Sequence, residues 1–275
     1  MSAPRQGDDL VFEPVVTLLA RPQFLGVPPE LGFPRSGQDT GTDAERLIEA
    51  AGRVCYDSYG KGRGSADYHR HLQEVGHGSV TEHALWSFLL AGVSRGLTHE
   101  LVRHRVGVAY AQRSTRYVDE QESPWIVPPL FREQASDPPE VAALRRQACA
   151  ELARVRQEAC TGYARLLGLG QELLAQTHPG LEPAERRKLL RGAARSVLGQ
   201  GLATSIVFSA NLRALIHICQ MRGVRHAEAE IRIVAAQLAA IMRAEVPAYF
   251  ADLELTDAPD GLGPEVHGLP RLQPY

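Results

Sequence analysis

The segment from Ala84 to Val93 constrains the fold more than any other, because it is the longest apolar stretch of the chain. It is too short to cross a bilayer, and it suits a strand that is buried on both faces. Such a strand needs other elements packed against it. We therefore predict an α/β fold with a central twisted sheet flanked by helices. We expect one domain over residues 1–275, in which 1–10 and 257–275 form extended tails.

The composition indicates a soluble globular protein. Hydrophobic residues make up 44% of the 275 residues and charged residues 23%, which is enough apolar side chain for a core. The formal net charge of −2 argues against a protein that coats nucleic acid, since that role requires a broad surplus of cations. The polar N-terminus has no apolar signal core, so we expect a cytoplasmic protein with no membrane segment.

Two kinds of chemical motif are missing from the sequence. The cysteines have no metal-type Cys-x-x-Cys spacing, and we expect buried, reduced thiols at Cys55, Cys149, Cys160 and Cys219. There is no glycine-rich phosphate loop of the dinucleotide-binding or P-loop type. If a nucleotide cofactor binds, side chains must therefore hold its phosphates.

Hydrophobic periodicity and capping residues predict the elements around the apolar strand. The other predicted strands are Val15–Leu19, which we expect to be buried, and Leu202–Ser209. The predicted helices are 43–56, 67–75, 96–105, 139–176 with breaks near Gly162 and Gly168, 183–198, one capped by Asn211 that runs to Arg222, and 227–245. Proline and glycine predict loops over 22–41 and 60–65.

Arg103-His104-Arg105 and Ser114-x-Arg116 together indicate an anion site. The first group is predicted in the last turn of a helix, where cations interact favourably with the helix dipole. Ser114 and Arg116 are two residues apart, so both point to one side if that segment is extended. Arginine offers a planar fork of donors suited to phosphate oxygens. The alternative is a solvated cationic surface patch.

Three further polar groups are candidates for ligand contacts. His77-x-Ser79-x-x-Glu82-His83 is more consistent with a hydrogen-bonded cluster or a ligand-contacting loop than with a metal site. Arg195 ends a basic helical segment, which taken alone indicates a solvated charged face more than a ligand contact. In Asn211-x-Arg213-x3-His217, the last two residues share a helical face, whereas Arg222 points elsewhere. That helix could serve two ligands, or its polar face could simply be solvated.

These motifs together resemble those of the flavin-dependent thymidylate synthases, over about Val15 to Tyr249. The most specific match is Arg103-His104-Arg105-x8-Ser114-x-Arg116-Tyr117. The supporting matches are the His77–His83 group, His99-Glu100-Leu101-x-Arg103, Asn211-x-Arg213-x3-His217-x4-Arg222 and His226-Ala227-Glu228-x-Glu230-Ile231-Arg232. This chain has one residue more before Ser114 than the family usually has, so Gln112 and Arg113 are assigned by counting back from Ser114.

The resemblance implies reductive methylation of dUMP to dTMP. Methylenetetrahydrofolate would give the carbon, and FAD recharged by NADPH would give the hydride, without a cysteine nucleophile. It implies a homotetramer with shared active sites, no metal, and no nucleic-acid or membrane partner.

The resemblance also implies the site residues. Those expected to contact FAD are Ser79, Arg103, His104, Arg105, Gln112, Asn211, Leu212, Arg213 and His217. Those expected to contact dUMP are Glu100, Leu101, Val102, Arg103, Gln112, Arg113, Ser114, Thr115, Arg116, Arg195 and Arg222. The catalytic pair would be Arg222, which favours loss of the uracil N3 proton, and Ser114, which orients the substrate. Two rival functions remain: a non-catalytic nucleotide- or nucleic-acid-binding protein, and a metal-dependent phosphohydrolase that uses the histidines.

Overall fold

The structure, a computed structural model, describes residues 9–28, 41–58 and 63–272. The predicted tails and loops lie partly outside the described residues, at 1–8, 29–40, 59–62 and 273–275. The strands are β1 (Leu10–Val11), β2 (Val15–Ala20), β3 (Leu85–Ser94), β4 (Val108–Gln112), β5 (Trp125–Ile126), β6 (Ala203–Asn211), β7 (Glu254–Asp257) and β8 (Pro264–His267). The α-helices are α1 (Asp43–Cys55), α2 (Ser65–Glu74), α3 (Arg95–Leu101), α4 (Pro139–Thr177), α5 (Pro183–Ala194), α6 (Leu212–Arg222), α7 (Ala229–Glu245) and α8 (Pro247–Phe250).

The main sheet confirms the predicted α/β class. It is a central antiparallel sheet of four strands in the order β2–β3–β6–β4, flanked by helices. Strand β3 is the predicted apolar strand, and Phe88, Leu90 and Val93 on it are fully buried. The small pairs are β1 with β5, which is parallel, and β7 with β8, which is antiparallel.

The chain forms two compact units. Among the described residues, unit 1 covers 9–15, 90–101 and 111–206. Unit 2 covers 16–28, 41–58, 63–89, 102–110 and 207–272. The division falls inside each of the four strands of the main sheet. The single-domain prediction stays a prediction.

Unit 1 contains the longest helix of the described ranges, α4, which packs against α5. The predicted breaks near Gly162 and Gly168 are wrong, because α4 runs unbroken through both residues. A glycine inside a helix costs only about 1 kcal/mol relative to alanine, and tertiary packing of the helix against a neighbour offsets such a cost.

Unit 2 has well-defined ends to its helices. Helix α1 begins with a capping box, in which Thr42 Oγ1 accepts from the Glu45 N–H at 3.3 Å and Glu45 Oε2 accepts from the Thr42 N–H at 2.8 Å. Asn211 caps α6 as predicted, since its Oδ1 accepts from the Ala214 N–H at 2.9 Å. Helix α6 ends at Arg222, also as predicted, and Gly223 caps it.

The predicted surface tails need correction. Leu10–Val11 is a strand paired with β5, and 257–267 contributes to the β7–β8 hairpin. The Val266 N–H donates to the Gly223 carbonyl at 2.8 Å, and its side chain is buried. Proline and glycine, which predicted an extended tail, are here compatible with a tight hairpin because they favour turns.

Strand β2 and the cysteines also differ from expectation. The residues of β2 are half-buried or exposed rather than buried, since this strand is at the edge of the sheet and has a neighbouring strand on one side only.

All four cysteines are free, and Cys160 and Cys219 are buried as predicted. Cys149 is half-buried and Cys55 is exposed, because Cys55 lies at the last position of α1, past its last buried residue. In the described part of the chain, no helix is long and apolar enough to span a membrane.

Helix α3 ends earlier than predicted, and this moves the arginine motif. The helix stops at Leu101, so Arg103, His104 and Arg105 lie in the following turn rather than in its last turn. The Tyr110 hydroxyl donates to the His104 carbonyl at 2.6 Å, outside any helical pattern. Gly107 has a φ of +70°, which glycine adopts readily and which lets the chain reverse into β4.

Candidate active site

Arg195 in unit 1 is anchored by a hydroxyl group. Its Nη1 donates to Thr115 Oγ1 at 3.1 Å. Thr115 is buried, whereas Arg195, in the short turn that follows α5, is exposed. Among the described residues, no carboxylate pairs with Arg195. Because a guanidinium has five N–H donors, this bond orients the group and leaves further donors and its charge for an anion.

Arg113 is engaged by acidic and hydroxyl groups of unit 1. Its Nη2 donates to Glu120 Oε2 at 2.9 Å and to Ser123 Oγ at 3.0 Å. Glu120 is 1% exposed, and burial raises the pKa of its carboxyl, although Ser123 and Arg113 oppose that shift. The Arg113 side chain therefore neutralises a buried acid, and its predicted contact with dUMP stays a prediction.

Arg95, the first residue of α3, is a basic residue that the sequence interpretation missed. Its Nη1 is buried and has no hydrogen-bond partner among the described residues. Burial lowers the pKa of Arg95, Glu120 raises it, and Arg195 lowers it further, so Arg95 is within electrostatic range of both. In the sequence, Arg95 lies just before the predicted helix that carries Arg103, which is a weak signal. A single arginine after a strand does not by itself indicate a ligand site.

Ser114 and Arg116 lie in a turn, so the premise that this segment is extended is wrong. Ser114 Oγ accepts from the Arg116 N–H at 3.3 Å, and the Ser114 carbonyl accepts from the Tyr117 and Val118 N–H groups at 3.2 and 3.0 Å. These local bonds compete with extended structure, as serine often allows. Arg116 is exposed, and its side chain forms no ion pair within the ranges that the structure describes.

The remaining dUMP candidates differ in accessibility. Gln112 Nε2 donates to Thr98 Oγ1 of α3 at 2.9 Å. Glu100 and Val102 are half-buried, but the Leu101 side chain is 1% exposed and packs in the core. Leu101 could therefore meet a ligand only through its backbone.

In unit 2, Asn211 and Leu212 form the start of α6. The Asn211 N–H donates to the Gly107 carbonyl at 3.0 Å, and a side chain at position 107 would collide with the Asn211 amide. Leu212 is fully buried, and its N–H donates to the Ala84 carbonyl at 3.0 Å. The structure thus gives both residues a structural task, and their predicted FAD contacts stay predictions.

Arg213 is held by Glu82, an acid that the site prediction omitted. Arg213 Nη1 donates to Glu82 Oε1 at 2.6 Å, and the Arg213 side chain is 11% exposed. Gly78 allows this approach, since a Cβ there would lie 2.9 Å from Arg213 Nε. Ser79, at the start of the turn that carries Glu82, is exposed. The sequence shows Glu82 three residues after Ser79, but it does not show that Glu82 pairs with Arg213.

The histidines near this turn make separate contacts. His77 stacks on Tyr56 with ring centroids 5.7 Å apart and an interplanar angle of 11°. His83 is exposed. Within the described residues, no three His, Cys, Asp or Glu side chains converge as metal ligands would.

His104 joins Arg222 and His217 of unit 2 into one group. Arg222 Nε donates to His104 Nε2 at 3.0 Å, and the rings of His104 and His217 meet edge to face with centroids 5.5 Å apart. Burial, followed by the nearby Arg222 and His217, lowers the pKa of His104 to about 4. Beside them, Arg103 and Arg105 are exposed, and their side chains bond to no other part of the described chain.

Comparisons with known proteins identify the family. The family model for the thymidylate synthase complementing protein, Thy1, matches residues 38–248. A flavin-dependent thymidylate synthase from Mycobacterium sp. (strain JLS) is 41% identical over 258 residues, covering 90% of this chain and 92% of the relative. One from Mycobacterium tuberculosis (strain H37Ra) is 39% identical over 253 residues, with the same shares covered.

A solved structure has the same fold. The UMP/dUMP methylase PolB from Streptomyces cacaoi, bound with 5-Br dUMP, aligns with a TM-score of 0.63 and 21% identity, over 88% of this chain and 94% of PolB. The sequence matches decide the family, because they are specific and span most of the chain. The chain belongs to the flavin-dependent thymidylate synthase family.

Proposed function

We propose that this chain methylates dUMP to dTMP, with methylenetetrahydrofolate as carbon donor and NADPH-reduced FAD as hydride source. In this reaction the uracil C5 loses its proton and gains the methylene carbon, and a hydride completes the methyl group as tetrahydrofolate leaves. Membership of the family makes the chain an FAD-dependent methyltransferase. The main support for a nucleotide substrate is Arg195, whose guanidinium is held by Thr115 rather than by a carboxylate and can therefore bind a phosphate.

The residues of unit 2 are suited to FAD. Arg103 and Arg105 are exposed cations that can meet a pyrophosphate, and Ser79 and His217 are exposed hydrogen-bonding groups. Bound and reduced, FAD supplies the hydride. No glycine-rich loop is needed in this arrangement, because side chains provide the donors.

Arg222 and Ser114 have different tasks in the proposed reaction. Arg222 is a permanent cation, and a cation beside the uracil ring stabilises the anion formed when N3 loses its proton. Ser114 Oγ is within its own turn, bonded to the Arg116 N–H, so we assign it to orienting the substrate. Arg222→Ala should abolish methylation and leave FAD binding largely intact, whereas loss of FAD with retained dUMP affinity would contradict these roles.

The thiols support a mechanism without a cysteine nucleophile. Burial raises the pKa of Cys149 and Cys160, and it raises that of Cys219 to about 12. A thiol held in the protonated form is a poor nucleophile. Cys55 is exposed at the end of α1 and belongs to neither arginine group described above.

We also infer a homotetramer with shared active sites. In unit 1, the paired helices α4 and α5 expose large apolar side chains, at Leu144, Leu169, Leu173 and Leu189. Leu144 and Leu169 are each 64% exposed, which is unfavourable for an apolar face left in water. Covering this face by another copy of the chain would remove that surface.

Stepwise titration tests the proposed function. FAD is added to the purified protein and flavin absorbance is followed, then dUMP is added, and dTMP is measured after methylenetetrahydrofolate and NADPH are supplied. Spectral changes in both titrations and dTMP formation support the proposal. A protein that ignores FAD and hydrolyses nucleotides only with a divalent metal is instead a phosphohydrolase. One that binds dUMP without any turnover is a binding protein.

A further inference from the structure

The contact between Arg222 and His104 defines the protonation state and the tautomer of the His104 imidazole ring. A guanidinium N–H can only donate, so His104 Nε2, 3.0 Å from Arg222 Nε, must accept. The ring is therefore neutral, with its proton on Nδ1. Protonation of Nε2 would place two donors against each other and break the contact.

The surroundings of His104 hold its ring in place. Its backbone carbonyl accepts from the Tyr110 hydroxyl at 2.6 Å, which fixes the turn that carries it. The ring of His217 packs edge to face against it at 5.5 Å. His217 and Arg222 both oppose a positive charge on this ring, as does burial. His104 is thus a neutral hydrogen-bond acceptor at about pH 7.

We propose that His104 is a positioning residue, which sets the direction of the Arg222 guanidinium by accepting the hydrogen bond from its Nε. An arginine has several rotatable bonds, and a fixed Nε restricts where its two terminal nitrogens lie. The inference rests on the proposed function, in which Arg222 faces the uracil ring. It is distinct from any contact that His104 makes with FAD, because it acts through Arg222.

Two substitutions separate this role from simple space filling. His104→Gln keeps a hydrogen-bond acceptor at similar reach, and His104→Leu removes it at similar volume. The Kd for dUMP is measured calorimetrically on FAD-saturated enzyme, and the Kd for FAD by absorbance. We expect His104→Leu to weaken dUMP binding about tenfold or more and His104→Gln to stay within about threefold, as for one hydrogen bond to a charged group.

A double-mutant cycle with Arg222→Gln completes the test. If His104 acts through Arg222, His104→Leu should change the Kd for dUMP by less than about twofold in the Arg222→Gln background. Equal losses in both backgrounds, equal losses for the Gln and Leu variants, or loss of FAD alone would overturn the inference. Failure of the unmodified protein to bind FAD or dUMP would reject the proposed function instead, so the two failures are distinguishable.

Discussion

Arg195 Nη1 donates to the buried hydroxyl of Thr115 at 3.1 Å, which orients an exposed cation without neutralising it. This relationship joins a residue after α5 to one in the turn after β4. It differs from Arg113, whose charge is met by Glu120. The two arginines were equivalent candidates in the sequence, and their partners give them different chemistry.

Thr115→Val should weaken dUMP binding about three- to tenfold, because Arg195 loses the bond that orients it. Binding of deoxyuridine, which lacks the phosphate, should hardly change. The measurement is calorimetric titration with both ligands. Thr161→Val on the exposed surface of α4 is the matched control and should leave both affinities unaltered, since within the described residues Thr161 bonds only to a carbonyl of its own helix. Equal losses for dUMP and deoxyuridine would contradict a phosphate role.

Arg95→Gln should reduce dUMP affinity about tenfold and spare deoxyuridine. Arg95 and Arg195 oppose each other's charge, and a phosphate nearby would relieve that repulsion. The competing explanation is that Arg95 merely balances Glu120. In that case Arg95→Gln would change the free energy of unfolding, measured with denaturant, and would leave dUMP affinity unaltered. Combining it with Glu120→Gln would then suppress its effect on stability.

Glu82→Gln should weaken FAD binding and lower the free energy of unfolding by about 1–3 kcal/mol, because it replaces the carboxylate that accepts from Nη1 of the largely buried Arg213 with a neutral amide. FAD absorbance titration and urea unfolding measure the two effects. Glu151→Gln on α4 breaks an ion pair with Arg154 that is exposed on both sides, and it is the control. If the two variants behave alike, Glu82 does not position Arg213.

Lowering the pH should destabilise the fold through His104. The folded-state pKa is about 4 and the ordinary value is 6.5, so the unfolded chain binds this proton more readily. The stability contributed by the neutral ring is complete above about pH 6.5 and is lost as the pH falls towards about 4. His69, whose pKa is also lowered by burial, acts in the same direction. As the pH is lowered, the free energy of unfolding should therefore fall less steeply in His104→Gln than in the unmodified protein. Identical slopes in the two proteins would show that His104 does not contribute to the pH dependence of stability.

Single replacement of Cys55, Cys149, Cys160 or Cys219 by alanine should leave measurable dTMP formation. The proposed chemistry uses no thiolate, and three of these thiols have a raised pKa. Turnover is compared at equal FAD occupancy, so that loss of fold is not mistaken for loss of chemistry. An absolute requirement for one cysteine in a variant that still binds FAD and dUMP would restore a thiol mechanism.

The sequence by itself determined strands β2, β3 and β6, most of the helices, and the family. The apolar run became β3, and α6 begins at its Asn211 cap and ends at Arg222 as predicted, because apolar periodicity and capping act between residues close in sequence. The ends of α3 and the continuity of α4 were not predictable in the same way. The Tyr110 hydroxyl bonds the His104 carbonyl in the turn after α3, and α4 packs against α5, so contacts from outside each segment act on it.

Only the tertiary structure decided which candidate residues act as pairs. Arg222 and His104 are 118 positions apart, and Arg213 and Glu82 are 131 apart. No local pattern encodes such a contact, because it depends on the path of the chain between the partners. The same applies to charge: burial and the neighbouring Arg222 keep His104 neutral, and a hydroxyl rather than an acid holds Arg195. The residue types were written in the sequence, but their protonation and orientation come from the groups that folding places beside them.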